Sequence, residues 1–286
     1  MSATESPPAL ESLAVVRARI ADRLGDVART IAVMSGKGGV GKSFVAVHLA
    51  LALALARRGA RVGLLDADLN SPSVAKMLGL RGQPLRATAS GLRPVPGPHG
   101  VAVQSMDFFL QGTQPLDWDG PAGEGSTVRS ALEEAALGDL LGATEWGALD
   151  VLVIDLAPGP DRLTALVHLV PALDAALAVT IPTEVSLLAV ERSVRRAHEA
   201  RVPMLGLVEN LATSVCAHCG AEGPLFREAS VDAVARQLDL GVLARVPFDA
   251  RAAAAVDGGA PLAAASGGVF EKLAKRALSL PPRGER

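Results

Sequence analysis

The residues best suited to chemistry lie in one run, Gly36-Lys37-Gly38-Gly39-Val40-Gly41-Lys42-Ser43, a full match to G-x-x-x-x-G-K-[ST]. Glycines at this spacing let backbone N–H groups turn inward around phosphate oxygens, and a helix starting at the end of the run adds its positive dipole end. Lys42 would reach the β- and γ-phosphates of a nucleotide, and the Ser43 hydroxyl would coordinate Mg2+. Two further runs, Leu64-Leu65-Asp66-Ala67-Asp68 and Val151-Leu152-Val153-Ile154-Asp155, each close an apolar stretch with carboxylates. Ligands of parallel α/β sheets bind at the strand C-terminal edge, which places Asp155 to hold Mg2+ through water. A lone strand-terminal Asp is more often a cap or turn former, but beside a phosphate loop the metal reading outweighs it.

The two cysteines of the chain form a single C-x-x-C, Cys216-Ala217-His218-Cys219. Such a pair is half a metal site, a redox dithiol or a chance spacing. One chain offers two thiolates where a metal centre needs four ligands, and His218 reads as a loop residue. Two chains related by a two-fold axis would supply four thiolates, enough for a [4Fe–4S] cluster or a zinc ion.

These residues need elements to position them, and the hydropathy pattern supplies a regular series. The strand candidates are 30–34, 61–66, 101–105, 150–155, 175–181, 204–208 and 242–246, several of them continuously apolar, as in strands covered on both faces. Helical patterns lie between most of them, including 184–200 and 231–238. The alternation predicts a doubly wound α/β fold with a mainly parallel sheet flanked by helices. Leu49 to Leu55 alternates Leu and Ala with period two, yet it is apolar at every position and built of helix formers, so it predicts a buried helix. Leu13, Val16, Ile20, Leu24 and Val27 predict an amphipathic N-terminal helix. Residues 81–100 and 111–126, rich in Pro and Gly, read as irregular. The expected organisation is an N-terminal helix or extension at 1–29, one ATPase domain at 30–280 and a tail at 281–286.

Composition narrows the function. Of 286 residues, 28 are Lys or Arg and 30 are Asp or Glu, a net charge of −2 that lacks the basic footprint of a nucleic-acid binder. Aromatics at 3% leave little for base stacking, and two cysteines exclude a disulfide framework. The first residues lack the basic and apolar regions of a signal peptide. The longest apolar run, 44–56, falls short of the roughly 20 residues that span a bilayer. A cytoplasmic protein with neither nucleic-acid nor membrane partner is expected. The segment 270–280 is mildly amphipathic and could target a membrane, but packing on the sheet is the better reading.

Lys37 turns the loop into the deviant form K-G-G-V-G-K-[ST], which resembles that of the dimeric P-loop NTPases of the SIMIBI, MinD-like group, including MinD, ParA and Mrp/ApbC. Over about residues 28–262 the chain is similar to the Mrp/ApbC iron–sulfur cluster carriers. The resemblance rests on 31–43, Leu65-Asp66-Ala67-Asp68 with Pro72-Ser73-Val74, Trp118 to Pro121, Trp146 to Asp150, Pro182 to Val185, Val208-Glu209-Asn210, the C-x-x-C, and Val246 to Asp249. It implies a homodimer that sandwiches ATP, with Lys37 crossing to the partner's nucleotide and Asp68 orienting the attacking water. It places Asn210 and Pro247 near the adenine, and Cys216 and Cys219 of both subunits on a bridging [4Fe–4S] cluster that is passed to recipient apo iron–sulfur proteins. Departures stand out as well. Phe44 replaces the family's threonine near the α-phosphate, Asp119 replaces an arginine, and Ala157-Pro158-Gly159-Pro160-Asp161 is one residue shorter than the family's γ-phosphate-sensing segment. Pro160 fixes φ and removes a donor there, so slow ATP hydrolysis is expected. A ParA/MinD-type positioning ATPase acting on membrane or DNA, and a zinc-clamped dimer, are the alternatives.

Overall fold

The computed structural model describes residues 12–57, 59–110, 126–215, 218–219, 221–226, 229–261, 268–283 and 285. Helix α1 (Leu13–Arg23) precedes strand β1 (Thr30–Ser35), helix α2 (Lys42–Ala56), strand β2 (Val62–Ala67) and a single turn, α3 (Val74–Met77). A small hairpin of β3 (Arg86–Ala87) and β4 (Leu92–Arg93) leads to β5 (Val95–Pro96) and β6 (Ala102–Ser105). Next come α4 (Ser126–Ala143), β7 (Val151–Leu156), α5 (Arg162–Leu169), β8 (Ala175–Thr180), α6 (Glu184–Glu199) and the long β9 (Met204–Val215). The chain closes with β10 (Glu222–Pro224), α7 (Val231–Gln237), β11 (Val242–Phe248), α8 (Ala250–Asp257) and α9 (Val269–Leu278).

Among the described residues the main sheet runs β10-β9-β8-β1-β7-β2-β6-β5, with β11 also on β9. The pairs β8–β1, β1–β7, β7–β2 and β2–β6 are parallel, whereas β5 and β10 pair antiparallel with their neighbours. This is the doubly wound, mainly parallel sheet that the sequence predicts. Each expected strand forms, with ends displaced by a residue or two, and β9 runs on past Val208 to Val215. The irregular stretch 81–100 holds the β3–β4 hairpin and β5, whereas 111–125 lies outside the described residues.

Strand side chains alternate between two cores. Ile31, Val33, Leu64, Val151 and Val153 face α2 and α9, whereas Ala32, Met34, Leu65, Leu152 and Ile154 face α1, α4, α5 and α6. Leu49, Leu51 and Leu53 are buried with the alanines between them, so the alternating segment is helical and covered through Leu53, whereas Leu55 in its last turn is 52% exposed. With so few aromatics, the cores fill with Leu, Val and Ala from both layers. Phe270, Leu273, Ala274 and Ala277 of α9 are buried against the α2 side, so the amphipathic face of this helix is consumed by packing. No helix among the described residues is long and apolar enough to cross a membrane.

Candidate functional site

The β1-to-α2 turn carries the glycine-rich loop. Gly39 and Gly41 adopt positive φ, +80° and +79°, and Gly41 is the N-cap of α2, so the backbone takes a form that side chains with Cβ resist. Gly36 lies against α6: a Cβ there would stand 2.2 Å from the backbone carbon of Ala189. The loop is thereby seated on α6 at one end and opens α2 at the other, which leaves the helix N-terminus facing the strand edge.

Three charges meet behind it. Asp155, at the end of β7, is the register partner of Val33 in β1 and of Asp66 in β2. Lys42 Nζ donates to Asp155 Oδ1 at 2.6 Å and to Ser43 Oγ at 3.2 Å, and both Lys42 and Asp155 are buried. Burial raises the Asp155 carboxyl above its ordinary range, against the opposing pull of Lys42 and Ser43. Its Oδ2 is buried with no hydrogen-bond partner among the described residues. An unsatisfied carboxylate oxygen beside a serine hydroxyl and a lysine suits a hydrated divalent cation and a phosphate, so these residues fit the group the loop motif implies.

Asp66 is the residue that pattern reading undervalued. It is fully buried, and Oδ2 accepts from the backbone N–H of Ser73 at 2.9 Å and of Val74 at 3.0 Å, and from Ser105 Oγ at 3.2 Å. Burial and the neighbouring Asp155 charge push it up to about 7. The signal was present in the sequence as a second acid two residues before Asp68. Asp68 is half-buried and accepts from the Ser71 N–H at 3.2 Å, so here it closes its own turn.

The remaining expected residues divide. Asn210, in β9, is buried and donates Nδ2 to the Val40 carbonyl oxygen at 2.8 Å, directly on the loop. Pro247 follows Val246, the β11 register partner of Asn210, at a point where the ladder shifts register. Lys37 is half-buried, and its carbonyl accepts from Ser35 Oγ at 3.0 Å. The Phe44 ring packs against His48, tilted at 4.0 Å between centroids, and reaches Phe270 of α9 at 6.2 Å. The 157–161 segment touches the loop through Gly159 N–H, which donates to the Ser35 carbonyl at 3.0 Å, with Gly159 at φ +122°. Cys219 is exposed with a free thiol, beyond the β9–β10 ladder in which Val215 pairs Glu222, and Cys216 lies outside the described residues. Asp119, with the segment from Trp118 to Pro121, is also outside them.

The arrangement is a phosphate cradle joined to two buried acids, with one strand running from the cradle to the cysteine segment. Comparison with known proteins places it. Residues 26–278 match the family described as ParA: NUBPL iron-transfer P-loop NTPase. An iron-sulfur cluster carrier protein of Saccharolobus solfataricus is 39% identical over 253 residues, 88% of this chain and 81% of that one. Among solved structures, a nucleotide-binding protein in complex with ADP from Archaeoglobus fulgidus superposes with a TM-score of 0.71 at 32% identity, covering 85% of this chain and 91% of that one. The cell division ATPase MinD of Pyrococcus furiosus shares the fold, with a TM-score of 0.55 at 21% identity over 87% of this chain and 98% of that one.

Proposed function

The chain belongs to the NUBPL iron-transfer P-loop NTPase family, and from that premise we propose that it carries a [4Fe–4S] cluster between two copies of itself and delivers it to apo iron–sulfur proteins under the control of ATP. The observation that carries the reading is the course of β9. That one strand bonds the phosphate loop through Asn210 and ends at Val215, next to the cysteine pair. Cys216 and Cys219 from each of two subunits supply the four thiolates that a cluster needs, and the cluster is cargo rather than a resident group.

In this reading MgATP occupies the loop from Gly36 to Ser43. Ser43 and, through water, Asp155 would hold the Mg2+, which would give the unpartnered Oδ2 a function. When bound, the cation would neutralise phosphate charge. Lys42 leaves Asp155 for the phosphates, Lys37 reaches the partner subunit's nucleotide, and Asp68 orients the attacking water once its hold on Ser71 is released. Asn210 and Pro247 flank the base. Hydrolysis is expected to be slow because Pro160 stiffens the segment that must sense the γ-phosphate.

Anaerobic reconstitution with iron and sulfide tests the reading. The expected result is about four iron and four sulfide per dimer in the wild type, with none retained by Cys216→Ala/Cys219→Ala. Iron retained by the double variant would overturn it, and zinc found in place of iron would assign the cysteines to a structural clamp.

A further inference from the structure

A second polar cluster lies beside the nucleotide loops. Glu133, in α4, is buried. Its Oε1 accepts from Asn70 Nδ2 at 2.9 Å and from Arg129 Nε at 3.2 Å, and its Oε2 accepts from Arg162 Nη1 at 2.6 Å. Arg129 Nη2 also donates to Asn70 Oδ1 at 3.3 Å, which closes a ring of three side chains. Asn70 stands two residues after Asp68 in the loop leaving β2, and Arg162 opens α5 directly after the 157–161 segment. One carboxylate therefore gives an oxygen to each of the two loops that flank Asp66 and Asp155. Burial would raise its pKa, but the bonds from Asn70, Arg162 and Arg129 prevail and hold it below the usual glutamate range, so it is anionic at neutral pH.

The surroundings leave freedom to move. A cavity of about 450 Å³ beside the cluster is lined by Leu69 and Asn70 from one loop, Pro160 and Asp161 from the other, and Leu137 of α4. That space adjoins both loops, with Leu69 holding the earlier one to the core. Apart from the Ser35–Gly159 bond and the Arg196–Asp161 pair at 3.6 Å, the Glu133–Arg162 pair at 2.6 Å is the tie that directs the later loop toward the earlier one.

We propose that Glu133 is a positioning residue that yokes the loop after Asp68 to the segment after Asp155, so that nucleotide-driven displacement of one is imposed on the other. The inference rests on the nucleotide-switch reading above, and it adds a residue that lies in none of the motifs. Coupling demands two sites that both bias one element, and a shared carboxylate with separate oxygens for the two loops meets that demand. A purely structural tie would lower stability on removal and leave the two loops responding together.

Hydrogen exchange with a non-hydrolysable MgATP analogue separates these roles. In the wild type, both 68–74 and 157–165 gain protection on binding. In Glu133→Ala, the analogue binds within about threefold of wild type because Lys42, Ser43 and Asp155 are untouched, and 68–74 still gains protection, while 157–165 loses most of its gain. With ATP, kcat falls about tenfold at nearly unchanged KM. Glu133→Gln, which keeps an acceptor for Asn70 but loses the anion opposite Arg162, reproduces the split and guards against misfolding of the alanine variant. Wild-type protection of both segments in the two variants would overturn the proposal, as would an equal loss in both segments accompanied by weakened binding. If the wild type fails to hydrolyse ATP but protects both segments on binding while the two variants show the split, the ATPase reading fails and the yoke stands. If the wild type binds no nucleotide, both fall.

Discussion

The Asn210 side-chain amide and the Val40 carbonyl oxygen are joined at 2.8 Å, a buried bond between strand β9 and the phosphate loop. From Asn210 to Val215 the strand covers roughly 17 Å at about 3.3 Å per residue. One strand thus joins the phosphate loop, met at its middle, to the cysteine segment that follows its end, with Leu211 between them at φ 54°. Asn210→Ala is expected to weaken MgADP binding about tenfold, the worth of one buried hydrogen bond. It is also expected to abolish the effect of nucleotide on the rate at which a chelator removes the cluster. Titration of nucleotide, and chelation with and without ATP, check the two halves separately.

Asp66 makes the nucleotide-free protein sensitive to pH in a definite direction. Its folded-state value is about 7 against an ordinary 3.8, so the folded state holds a proton that the unfolded state has released. Stability from this group is therefore full below about pH 4 and falls as pH rises to about 7. Carboxyls held below their ordinary range, Asp150 by Arg61 and Arg57 and Asp249 by the Arg251 and Ala252 N–H groups, work the other way and lose stability only at still lower pH. Denaturant unfolding between pH 5 and 7 reads Asp66 together with Asp155, whose carboxyl burial also raises. Asp66→Asn, which still accepts from Ser73 and Val74, should flatten that slope, and a slope unchanged by the substitution would assign it elsewhere.

Much of this site can be read from residue order because its logic is local. The loop glycines, Lys42 and Ser43 are consecutive, and the acids at strand ends announce the ligand edge. What pattern reading loses is whatever is satisfied from far along the chain. The sequence places the end of this strand at Val208 because Glu209, Asn210, Thr213 and Ser214 look like a polar turn. Yet Glu209 accepts from Arg245 at 2.9 Å and Asn210 binds Val40, so distant partners let the strand continue. Glu133 lies in none of the motifs, and only its bonds to Asn70 and to Arg162 at the start of α5 mark it. Phe44 reads as a damaged phosphate contact, and only the placement of α9 turns it into packing.

The segment after α9 reads as a tail, yet Arg283 anchors it. Its Nη2 donates to Ala172 O at 2.8 Å, Thr30 Oγ1 at 3.0 Å and the buried Asp174 Oδ2 at 3.2 Å, while its backbone N–H reaches Ala28 O at 2.8 Å. These bonds close the sheet where β1 begins. Arg283→Ala removes one cation from the buried Asp174 carboxylate along with the Ala172, Thr30 and Leu24 contacts of its guanidinium, and a loss of about 2–4 kcal/mol is expected. The denaturation midpoint should fall with the m-value unchanged, and nucleotide affinity should hold because the loop is at the opposite end of β1.

Phe44 offers the sharpest contrast between family pattern and this chain. Its ring lies 4.0 Å from His48, which lies 5.2 Å from Phe270, so three rings fasten the first turns of α2 to α9. Phe44→Thr would place at this position the hydroxyl that the family resemblance implies near the α-phosphate while removing a ring from this contact. Loss of the ring should cost about 2–4 kcal/mol of stability, because the gap lies between two helices that cannot both close on it. Nucleotide affinity should rise a few-fold, by about the worth of one hydrogen bond to a charged group set against a helix with a looser start. Thermal unfolding and nucleotide titration on the same sample read the two effects. A variant that loses stability without gaining affinity would show that the α2 backbone amides alone bind the α-phosphate, and that the aromatic substitution costs this chain nothing in binding.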